Sequence, residues 1–335
     1  TEIYTLSLHD ALPISRRDTA RRLALFIDEV QDIDQFETAL RSLQAGGGID
    51  IFATGSNAKL LSGELATYLS GRYVEIKVYG LTYNEFLTFH GLEQGLDSLQ
   101  TYLKFGGLPY LKHLSLDDSI VFDYLRNVSD AIILKDIVAR YDIRNVAFLQ
   151  RLCRFLADNV GSLVTARKIS TYLKSQQIKI SHNLVIDYLS YLSSAQLVLQ
   201  ARRYDIAGKK IFEIGEKYYF EDLGIRHAMV GFNTSDINKI IENVIFTHLK
   251  TAGYEVTVGQ IGKKETDFVC EKQGEHLYIQ AAYMIPDDKV RDREFGSLLA
   301  IPDNHPKKVV TMDPVTGGTY KGIEHVHLEN FLLSL

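Results

Sequence analysis

The sequence has few of the features that mark secreted, membrane-spanning or thiol-ligated metal proteins. Only two cysteines, Cys153 and Cys270, occur among its 335 residues. That scarcity excludes a disulfide framework and a thiol-rich metal site, and it is typical of a reducing cytosol. The sequence also lacks a run of about 18 apolar residues, the length that a transmembrane helix needs, and the basic start and long apolar core of a signal peptide. We therefore expect a cytoplasmic protein that does not enter a membrane.

The sequence also has no large excess of either positive or negative residues. The formal net charge is only -5, with 24% charged residues, so the chain as a whole is not marked as a binder of nucleic acid or membranes. A hydrophobic content of 46% is ordinary for a globular protein. The length predicts two or three domains, because domains usually hold roughly 100–200 residues.

The front of the chain alternates strand and helix patterns. Residues 23–28 form a short apolar run that ends in carboxylates, which predicts a buried strand of a parallel sheet. Residues 33–45 have helical spacing, and "IDIFATG" (49–55) predicts a second buried strand. The glycine run 46–48 precedes a strand and lacks a lysine, so it predicts a helix-stop turn rather than a phosphate loop. This order predicts an α/β unit with a parallel sheet.

The motif "LALFIDEVQ" (23–31) ends the first predicted strand in two acids. At that position Asp28 can hold the Mg²⁺ of bound ATP, and Glu29 can polarise the attacking water. A buried strand that ends in two solvated acids would have the same pattern, and this structural alternative stays open.

Small polar residues follow the second predicted strand: Thr54, Ser56 and Asn57. Ligands of open α/β sheets bind at the carboxyl edge of parallel strands, where such side chains can hold the water or the γ-phosphate. Farther on, "LSGRYVEIKVYG" places Arg72 before another predicted strand. Arg72 could supply transition-state charge in its own subunit or, through self-association, in a neighbour's. The alternative is a surface cation.

The middle of the chain is mainly helical. Helical patterns run from about 96 to 160 and are broken by "GGLP" (106–109). Residues 147–193 contain three helical stretches, two of which begin at a good capping residue, Thr165 or Ser181. The strand-like stretches "QLVLQARRY" and "KKIFEIGEKYYFED" follow. Three helices followed by a hairpin are the order of a winged helix.

A basic segment coincides with this predicted hairpin. Residues 165–217 hold nine Lys or Arg and four Asp or Glu, a local charge of +5. Arg202, Arg203, Lys209 and Lys210 would form a basic wing suited to the backbone of duplex DNA. A protein-interaction or spacer module is the alternative.

The last hundred residues predict a second small α/β domain. A helix at "INKIIENVIFTHLKTAG" precedes strands at "YEVTV", "TDFVCE" and "HLYIQAAY", and another helix is predicted near 287–301. The stretch "HVH" (325–327) predicts a half-buried strand rather than a metal site, because no third ligand is evident.

Taken together, these motifs resemble the AAA+-type ATPases and, more closely, a prokaryotic group of predicted ATPases that carry a nuclease-like C-terminal domain. "LALFIDEVQ" resembles their Walker B strand, "IFATGSNAKLLS" their sensor 1, "LSGRYVEI" the following arginine strand and "FGGLP" the lid. The resemblance extends through "ETDFVCE", "YIQAAY" and "PKKVVTMD" to the C-terminus. It implies ATP and Mg²⁺ as cofactors, bound at the residues named above.

The C-terminal part resembles the restriction-endonuclease-like fold, whose metal site uses a helix Glu, an Asp and then a Glu-x-Lys pair. Glu242 and Asp267 match the first two places. The third place reads Gln280-Ala281-Ala282, so a metal carboxylate and the lysine are both lost. Such a site should bind Mg²⁺ poorly and leave the water unactivated. We expect an inactive nuclease fold, with an active metal-dependent nuclease as the less favoured alternative.

The family pattern also demands an upstream phosphate loop of the form G-x-x-x-x-G-K-[ST], and the sequence contains no such loop. Without its lysine and backbone nest, the β- and γ-phosphates lose their main anchor. Residues 1–14 match, without a mismatch, the translation of a common sequencing-library adapter. We therefore expect the native protein to begin upstream of Arg16 and to carry the loop there. A coincidental tail is the alternative.

These patterns predict an α/β fold: a truncated P-loop NTPase (AAA+-like) parallel-sheet core with a helical lid, a winged helix-turn-helix and a restriction-endonuclease-like C-terminal domain. The expected boundaries are 1–15 for the adapter-derived stretch, 16–95 for the ATPase core, 96–145 for the lid, 146–230 for the winged helix and 231–335 for the nuclease-like domain. The predicted function is an ATP-dependent switch associated with DNA. The alternative is a DNA-binding or scaffolding module without ATPase activity.

Overall fold

The computed structural model of the chain describes residues 23–56, 73–175, 180–314 and 316–335. The chain divides into two compact units. The first holds residues 1–77 together with 194–196, and the second holds residues 78–193 and 197–335. Within the described residues, none of the helices combines the length and apolarity that crossing a bilayer would require.

The first unit contains the predicted strand–helix–strand arrangement. Strand β1 (Leu23–Ile27), helix α1 (Phe36–Gly46) and strand β2 (Ile49–Ala53) follow one another in the chain. The two strands pair in parallel, from Leu23 opposite Ile49 to Ile27 opposite Ala53. Gly47 leaves the helix with a φ of 67°, a left-handed conformation that favours glycine. The parallel pairing and the helix-stop turn are therefore confirmed.

Burial of these strands is one-sided, which corrects the expectation of two buried strands. Val30, Phe36 and Leu40 form a small core against Ile27 and Ile51. Because successive side chains of a strand point to opposite faces, the alternate residues of β1 and β2 lie on the other face. There the rings of two phenylalanines stack with their centroids 5.0 Å apart, and they are 70% and 54% exposed: Phe26 and Phe52.

The strand expected after Arg72 is also absent from the described residues. The stretch 73–79 forms no strand, and Val74, Ile76 and Val78 are each about four-fifths exposed (86%, 79% and 81%). Alternating apolar residues favour a strand only where a neighbouring strand supplies backbone hydrogen bonds. In the part of the first unit that the structure describes, only β1 and β2 pair with each other.

The second unit begins with helices and also ends with one. They are α2 (Tyr83–His90), α3 (Leu96–Phe105), α4 (Asp118–Ala131), α5 (Val146–Asp158), α6 (Ala166–Ser175), α7 (His182–Ser194), α8 (Leu223–Val230), α9 (Ile237–Thr251), α10 (Asp288–Leu299) and α11 (Leu328–Leu333). A π-helical segment, Ile132–Ala139, follows α4 directly. The predicted break at "GGLP" is confirmed, because α3 ends at Phe105 and the next residue, Gly106, has a φ of 80°.

The predicted capping residues of α6 and α7 are confirmed as well. The Oγ1 atom of Thr165 accepts a hydrogen bond from the backbone N–H of Lys168 at 3.0 Å. The Oγ atom of Ser181 accepts one from the backbone N–H of Leu184 at 3.2 Å. These side chains supply acceptors for backbone N–H groups that the first turn of a helix leaves unpaired.

One sheet of eight strands runs through the second unit. Its strands are β3 (Val198–Asp205), β4 (Lys210–Phe220), β5 (Glu255–Ile261), β6 (Lys264–Lys272), β7 (Glu275–Ala281), β8 (Lys307–Thr311), β9 (Thr319–Tyr320) and β10 (Ile323–His327). The spatial order is β4-β3-β5-β6-β7-β8-β10-β9. The predicted hairpin is β3–β4, and β3 also pairs in parallel with β5, where Arg203 lies opposite Val258. The hairpin and the C-terminal strands therefore share one sheet.

Candidate functional site

The acids of the first motif lie beside the end of β2. The Oγ1–H of Thr54 donates a hydrogen bond to Oδ1 of Asp28 at 2.5 Å, and the backbone N–H of Glu29 donates one to the same hydroxyl oxygen at 3.2 Å. Backbone bonds continue the ladder on both sides, from Thr54 N–H to Ile27 C=O at 2.8 Å and from Val30 N–H to Thr54 C=O at 2.9 Å. These bonds bring the carboxyl ends of β1 and β2 together, as the sequence predicted.

Glu29 has an unusual backbone conformation, with φ 47° and ψ 56°. A residue other than glycine in the left-handed region is strained, and such strain often accompanies a functional position. The side-chain amide of Gln31 donates hydrogen bonds to Oε2 of Glu29 and, at 3.4 Å, to Oγ of Ser56. Gln31 is thus a member of the site that the sequence analysis did not name. The only signal for it in the sequence is its position two residues after Glu29.

The structure therefore brings together Asp28, Glu29, Thr54 and Ser56, whereas the predicted site residues Asn57 and Arg72 lie outside the described residues. We define this group, with Gln31, as the strand-end site. Mg²⁺ prefers oxygen ligands and is usually held by one or two carboxylates together with substrate phosphates. The strand-end site fits that chemistry, because it offers the Asp28 carboxylate and leaves the remaining ligand positions to nucleotide and water.

A second group of charged residues lies in the second unit, around Lys217 of β4. Its Nζ atom lies 2.8 Å from Oε1 of Glu242, 2.8 Å from Oε1 of Glu265 and 3.6 Å from Oδ1 of Asp267. The hydroxyl of Tyr219 also donates a hydrogen bond to Oε1 of Glu242, at 2.6 Å. We call the lysine and its three carboxylates the acidic centre. Its members come from α9, β6 and the hairpin, so it connects all three.

Gln280 borders the acidic centre, and both its amide oxygen and its amide nitrogen form hydrogen bonds. Its Oε1 atom accepts hydrogen bonds from the backbone N–H of Asp267 at 3.3 Å and from Oγ–H of Ser297 at 3.1 Å. Its Nε2 atom donates to Oε2 of Glu294 at 3.1 Å. The backbone N–H of Ala281 donates to Oδ2 of Asp267 at 2.9 Å. The three predicted nuclease positions, Glu242, Asp267 and Gln280, are thus close together in space.

Burial and charge shift the protonation of the acidic centre. Burial, reinforced by the nearby Glu242 carboxylate and opposed by Lys217, raises the pKa of Asp267 to about 7. Burial alone would lower the pKa of Lys217, but its three carboxylates more than offset this and raise the pKa above its usual value. The expectation that this site had lost its cation is therefore wrong. The hairpin supplies one, through an ion pair that no local pattern in the sequence announced.

The cations of the predicted basic wing differ in their surroundings. Arg202, Lys209 and Lys210 are exposed. The guanidinium of Arg203 instead lies over the ring of Phe212, 4.7 Å from its centroid, and donates a hydrogen bond to Oε1 of Gln260. Three of the four cations predicted to bind DNA are therefore open to solvent, whereas the fourth is engaged within the sheet.

A further pair of acids lies just after β4, where Asp222 is buried and Glu221 is half-buried. The backbone N–H of Gly80 donates to Oε1 of Glu221 at 2.6 Å, and Oδ2 of Asp222 accepts from the N–H of Gly107 at 2.7 Å. Burial, reinforced by the neighbouring Asp222, raises the pKa of Glu221 to about 7. Burial raises the pKa of Asp222 to about 6. Asp222 thus holds the "GGLP" segment, whose predicted role was the lid, against the end of the hairpin, and Glu221 holds Gly80 there.

Two known families match parts of this chain. Residues 3–87 match the family described as "AAA domain", which contains the strand-end site. Residues 96–236 match a "Domain of unknown function (DUF8612)", which covers α3 to α8 and the β3–β4 hairpin. The AAA match agrees with the placement of Asp28 and Thr54 at the ends of two parallel strands.

Similar proteins occur in bacteria and archaea. An uncharacterised protein of Haemophilus influenzae is 37% identical over 316 residues, which are 93% of this chain and 78% of that protein. An uncharacterised protein of Methanocaldococcus jannaschii is 30% identical over 285 residues, which are 81% of this chain and 63% of that protein. Among solved structures, a Walker-type ATPase of Pyrococcus abyssi aligns with a TM-score of 0.40 and 15% identity over 62% of this chain and 63% of that one. A TM-score of this size does not by itself establish a common fold.

Proposed function

This chain belongs to the same family as the uncharacterised Haemophilus influenzae protein. Because its residues 3–87 match an AAA domain, we propose that it binds Mg²⁺-ATP and acts as an ATP-dependent switch. The observation that carries the proposal is the 2.5 Å hydrogen bond between Thr54 and Asp28. That bond fixes an acid and a hydroxyl side by side at the carboxyl edge of a parallel sheet, where ligands of such sheets bind.

In this proposal each residue of the strand-end site has a separate role. Asp28 holds the Mg²⁺ that accompanies ATP, and Glu29 polarises the attacking water. The amide of Gln31 orients the Glu29 carboxylate and links it to Ser56. Thr54 and Ser56 lie where the water or the γ-phosphate would be held.

Two further roles rest on residues outside the described part of the chain. Asn57 would join Thr54 in holding the water or the γ-phosphate. Arg72 would supply transition-state charge, in its own subunit or, if the protein self-associates, in a neighbour's. Arg72→Ala should then lower turnover more than affinity, because its charge is needed mainly in the transition state.

The test compares nucleotide binding and phosphate release in three variants of the full chain. Glu29→Gln should leave Mg²⁺-ATP affinity nearly unchanged and lower turnover by about 10²- to 10⁴-fold, the usual contribution of an acid–base group. Asp28→Ala should weaken the affinity itself and remove its Mg²⁺ dependence. Asp34→Asn, which removes an exposed acid of the same loop, is the matched control and should change neither quantity.

Affinity is expected to be low, because no G-x-x-x-x-G-K-[ST] loop occurs in the 335 residues. Binding is therefore measured at millimolar ATP by equilibrium dialysis, with and without Mg²⁺. If the chain shows no Mg²⁺-dependent affinity for ATP, or if the Asp34→Asn control loses as much as Asp28→Ala, the ATPase proposal fails. The scaffold alternative would then take its place.

A second proposal, binding of duplex DNA, is favoured by the exposed cations of the hairpin. Residues 146–230 would form the winged helix, with α5 to α7 followed by the β3–β4 hairpin. Weak, sequence-independent binding should fall steeply with salt. Replacing Arg202, Lys209 and Lys210 with Ala should flatten the slope of log K against log salt by about 0.9 for each phosphate that the variant no longer neutralises.

Arg203→Ala serves as the comparison for this experiment, because Arg203 is engaged by Phe212 and Gln260. Arg203→Ala should change the slope of log K against log salt less than the replacement of any one of the three exposed cations does. An unchanged slope in the triple variant would identify the hairpin as a spacer or a protein-docking element. Residues 231–335 would form the nuclease-like domain in either case, supported by the order α9, β5 to β7, α10 and β8.

A further inference from the structure

The acidic centre has the ligand types of a metal site but holds a cation of its own. A divalent ion bound to carboxylate oxygens lies about 2.0–2.6 Å from them. The Nζ atom of Lys217 lies 2.8 Å from Glu242, 2.8 Å from Glu265 and 3.6 Å from Asp267. A divalent ion coordinated by any two of these carboxylates would therefore have to occupy the position of the ammonium group. Repulsion between the two cations would be strong, because the site is buried and poorly screened.

Most of the acidic centre is covered. The side chains of Lys217, Asp267 and Glu242 are only 3%, 11% and 16% exposed, whereas that of Glu265 is 41% exposed. Gly161, in the loop after α5, packs so closely that a Cβ atom there would lie 2.7 Å from the Glu242 carboxylate. Two backbone hydrogen bonds, of 2.9 and 3.1 Å between Val164 and Glu216, hold this loop on β4. A nucleic-acid phosphate would have to displace the loop to approach the Glu242 carboxylate.

The remaining neighbour cannot restore a metal site. Gln280 offers a neutral amide, and its oxygen and nitrogen are engaged by Asp267, Ser297 and Glu294. Among the described residues, no group of three or more His, Cys, Asp or Glu has an arrangement that could hold a metal ion. The metal that the nuclease-like resemblance implies therefore does not fit this centre as it stands.

We propose that Lys217 is a built-in cation that takes the place of a divalent metal in the acidic centre. Its ammonium joins the β3–β4 hairpin to α9 and β6, so the centre serves as a metal-independent attachment between these elements and not as a nuclease site. Removing the ammonium would leave the charges of Glu242, Glu265 and Asp267 uncompensated, and a divalent ion could then draw these carboxylates into bonding distance. The lysine is thus what keeps divalent metal out.

The test measures Mn²⁺ binding and thermal unfolding of the full chain and of Lys217→Ala. The wild-type protein should bind no Mn²⁺ at this centre, and millimolar Mn²⁺ should leave its midpoint of unfolding unchanged. Lys217→Ala should unfold at a lower temperature without metal. It should bind one Mn²⁺ more than the wild-type protein does, and Mn²⁺ should restore part of the lost midpoint. Electron paramagnetic resonance measures the free Mn²⁺, and the number of bound ions is the difference from the total Mn²⁺ added.

Two control variants make the result specific. Lys217→Met fills the position with an apolar chain of similar length, so it should be destabilised without any rescue by Mn²⁺. The double variant Lys217→Ala/Asp267→Asn removes one carboxylate and should lose most of the Mn²⁺ affinity. If Lys217→Ala does not fold alone, refolding it with and without Mn²⁺ is the second measurement, and the proposal requires that the metal raise the folded yield.

Three outcomes would overturn the proposal. The first is Mn²⁺ binding by the wild-type protein that is lost on Glu242→Gln. The second is Mn²⁺-dependent cleavage of DNA by the wild-type protein, which would make Lys217 part of an active nuclease. The third is a Lys217→Ala protein that folds, or refolds, equally with and without Mn²⁺ and binds none. None of these outcomes depends on whether the strand-end site hydrolyses ATP.

Discussion

Replacing Glu221 with Gln should remove part of the pH dependence of the free energy of unfolding. The carboxyl of Glu221 is buried, accepts the backbone N–H of Gly80 at 2.6 Å and lies next to Asp222. Burial and that neighbour raise its pKa from the usual 4.5 to about 7. Gln has nearly the same shape and can still accept the Gly80 N–H through its amide oxygen, but it does not titrate.

The size of the effect follows from the pKa. In the folded protein Glu221 holds its proton to a higher pH than in the unfolded chain, so its contribution to stability is complete below about pH 4.5. That contribution is lost as the pH rises to about 7 and stays lost above it. At 1.36 kcal/mol per pKa unit the loss amounts to about 3 kcal/mol. The Gln variant should therefore gain about 2–3 kcal/mol relative to the wild-type protein between about pH 4.5 and 8.

The assay is urea unfolding followed by circular dichroism, because the chain has no tryptophan. The midpoint is measured for both proteins at several pH values between about 4.5 and 8. Glu275→Gln is the matched control, since Glu275 is exposed. The plot of its urea midpoint against pH should run parallel to that of the wild-type protein. If the curve of Glu221→Gln also runs parallel, the buried carboxyl does not carry the pH dependence and the reasoning is refuted.

Two further predictions concern the segment held by these acids. Gly107→Ala should destabilise the protein by about 1–3 kcal/mol, because a Cβ atom there would overlap the backbone oxygen of Leu81. Gly318→Ala, where nothing lies within 4 Å, is its control, and equal midpoints in urea for the two variants would contradict the steric argument. Thr82→Ala should cost about 1 kcal/mol, because Thr82 and Glu85 cap α2 reciprocally. Thr82→Ser keeps the hydroxyl, so a loss of thermal midpoint as large as that of the Ala variant would exclude the cap as its cause.

Local patterns in the sequence were sufficient to predict most helices and strands. The helical stretches within 147–193 became α5, α6 and α7, and Thr165 and Ser181 cap α6 and α7 as expected. A cap and an amphipathic face depend on residues within a turn or two of one another. The information that specifies them therefore lies in a short stretch of chain and can be read there.

The strand-end site was predictable for a different reason. Asp28 and Thr54 are 26 residues apart, yet the rule that parallel strands end at one edge of the sheet was enough to bring them together. The roles of Asp28 and Glu29 remain predictions. Gln31 was not anticipated, because its hydrogen bonds to Glu29 and Ser56 are contacts of the folded chain that the strand pattern does not indicate.

Only the tertiary structure decided which distant elements meet. Residues 73–79 have the alternation of a strand but form none, because a strand requires a partner that its own sequence does not encode. Conversely, β3 gains β5 as a parallel neighbour, which brings the hairpin into the C-terminal sheet. That pairing brings Lys217 to the carboxylates of Glu242 and Asp267. The sequence determined that these charges exist, whereas the pairing of strands far apart in the chain determined that they neutralise one another.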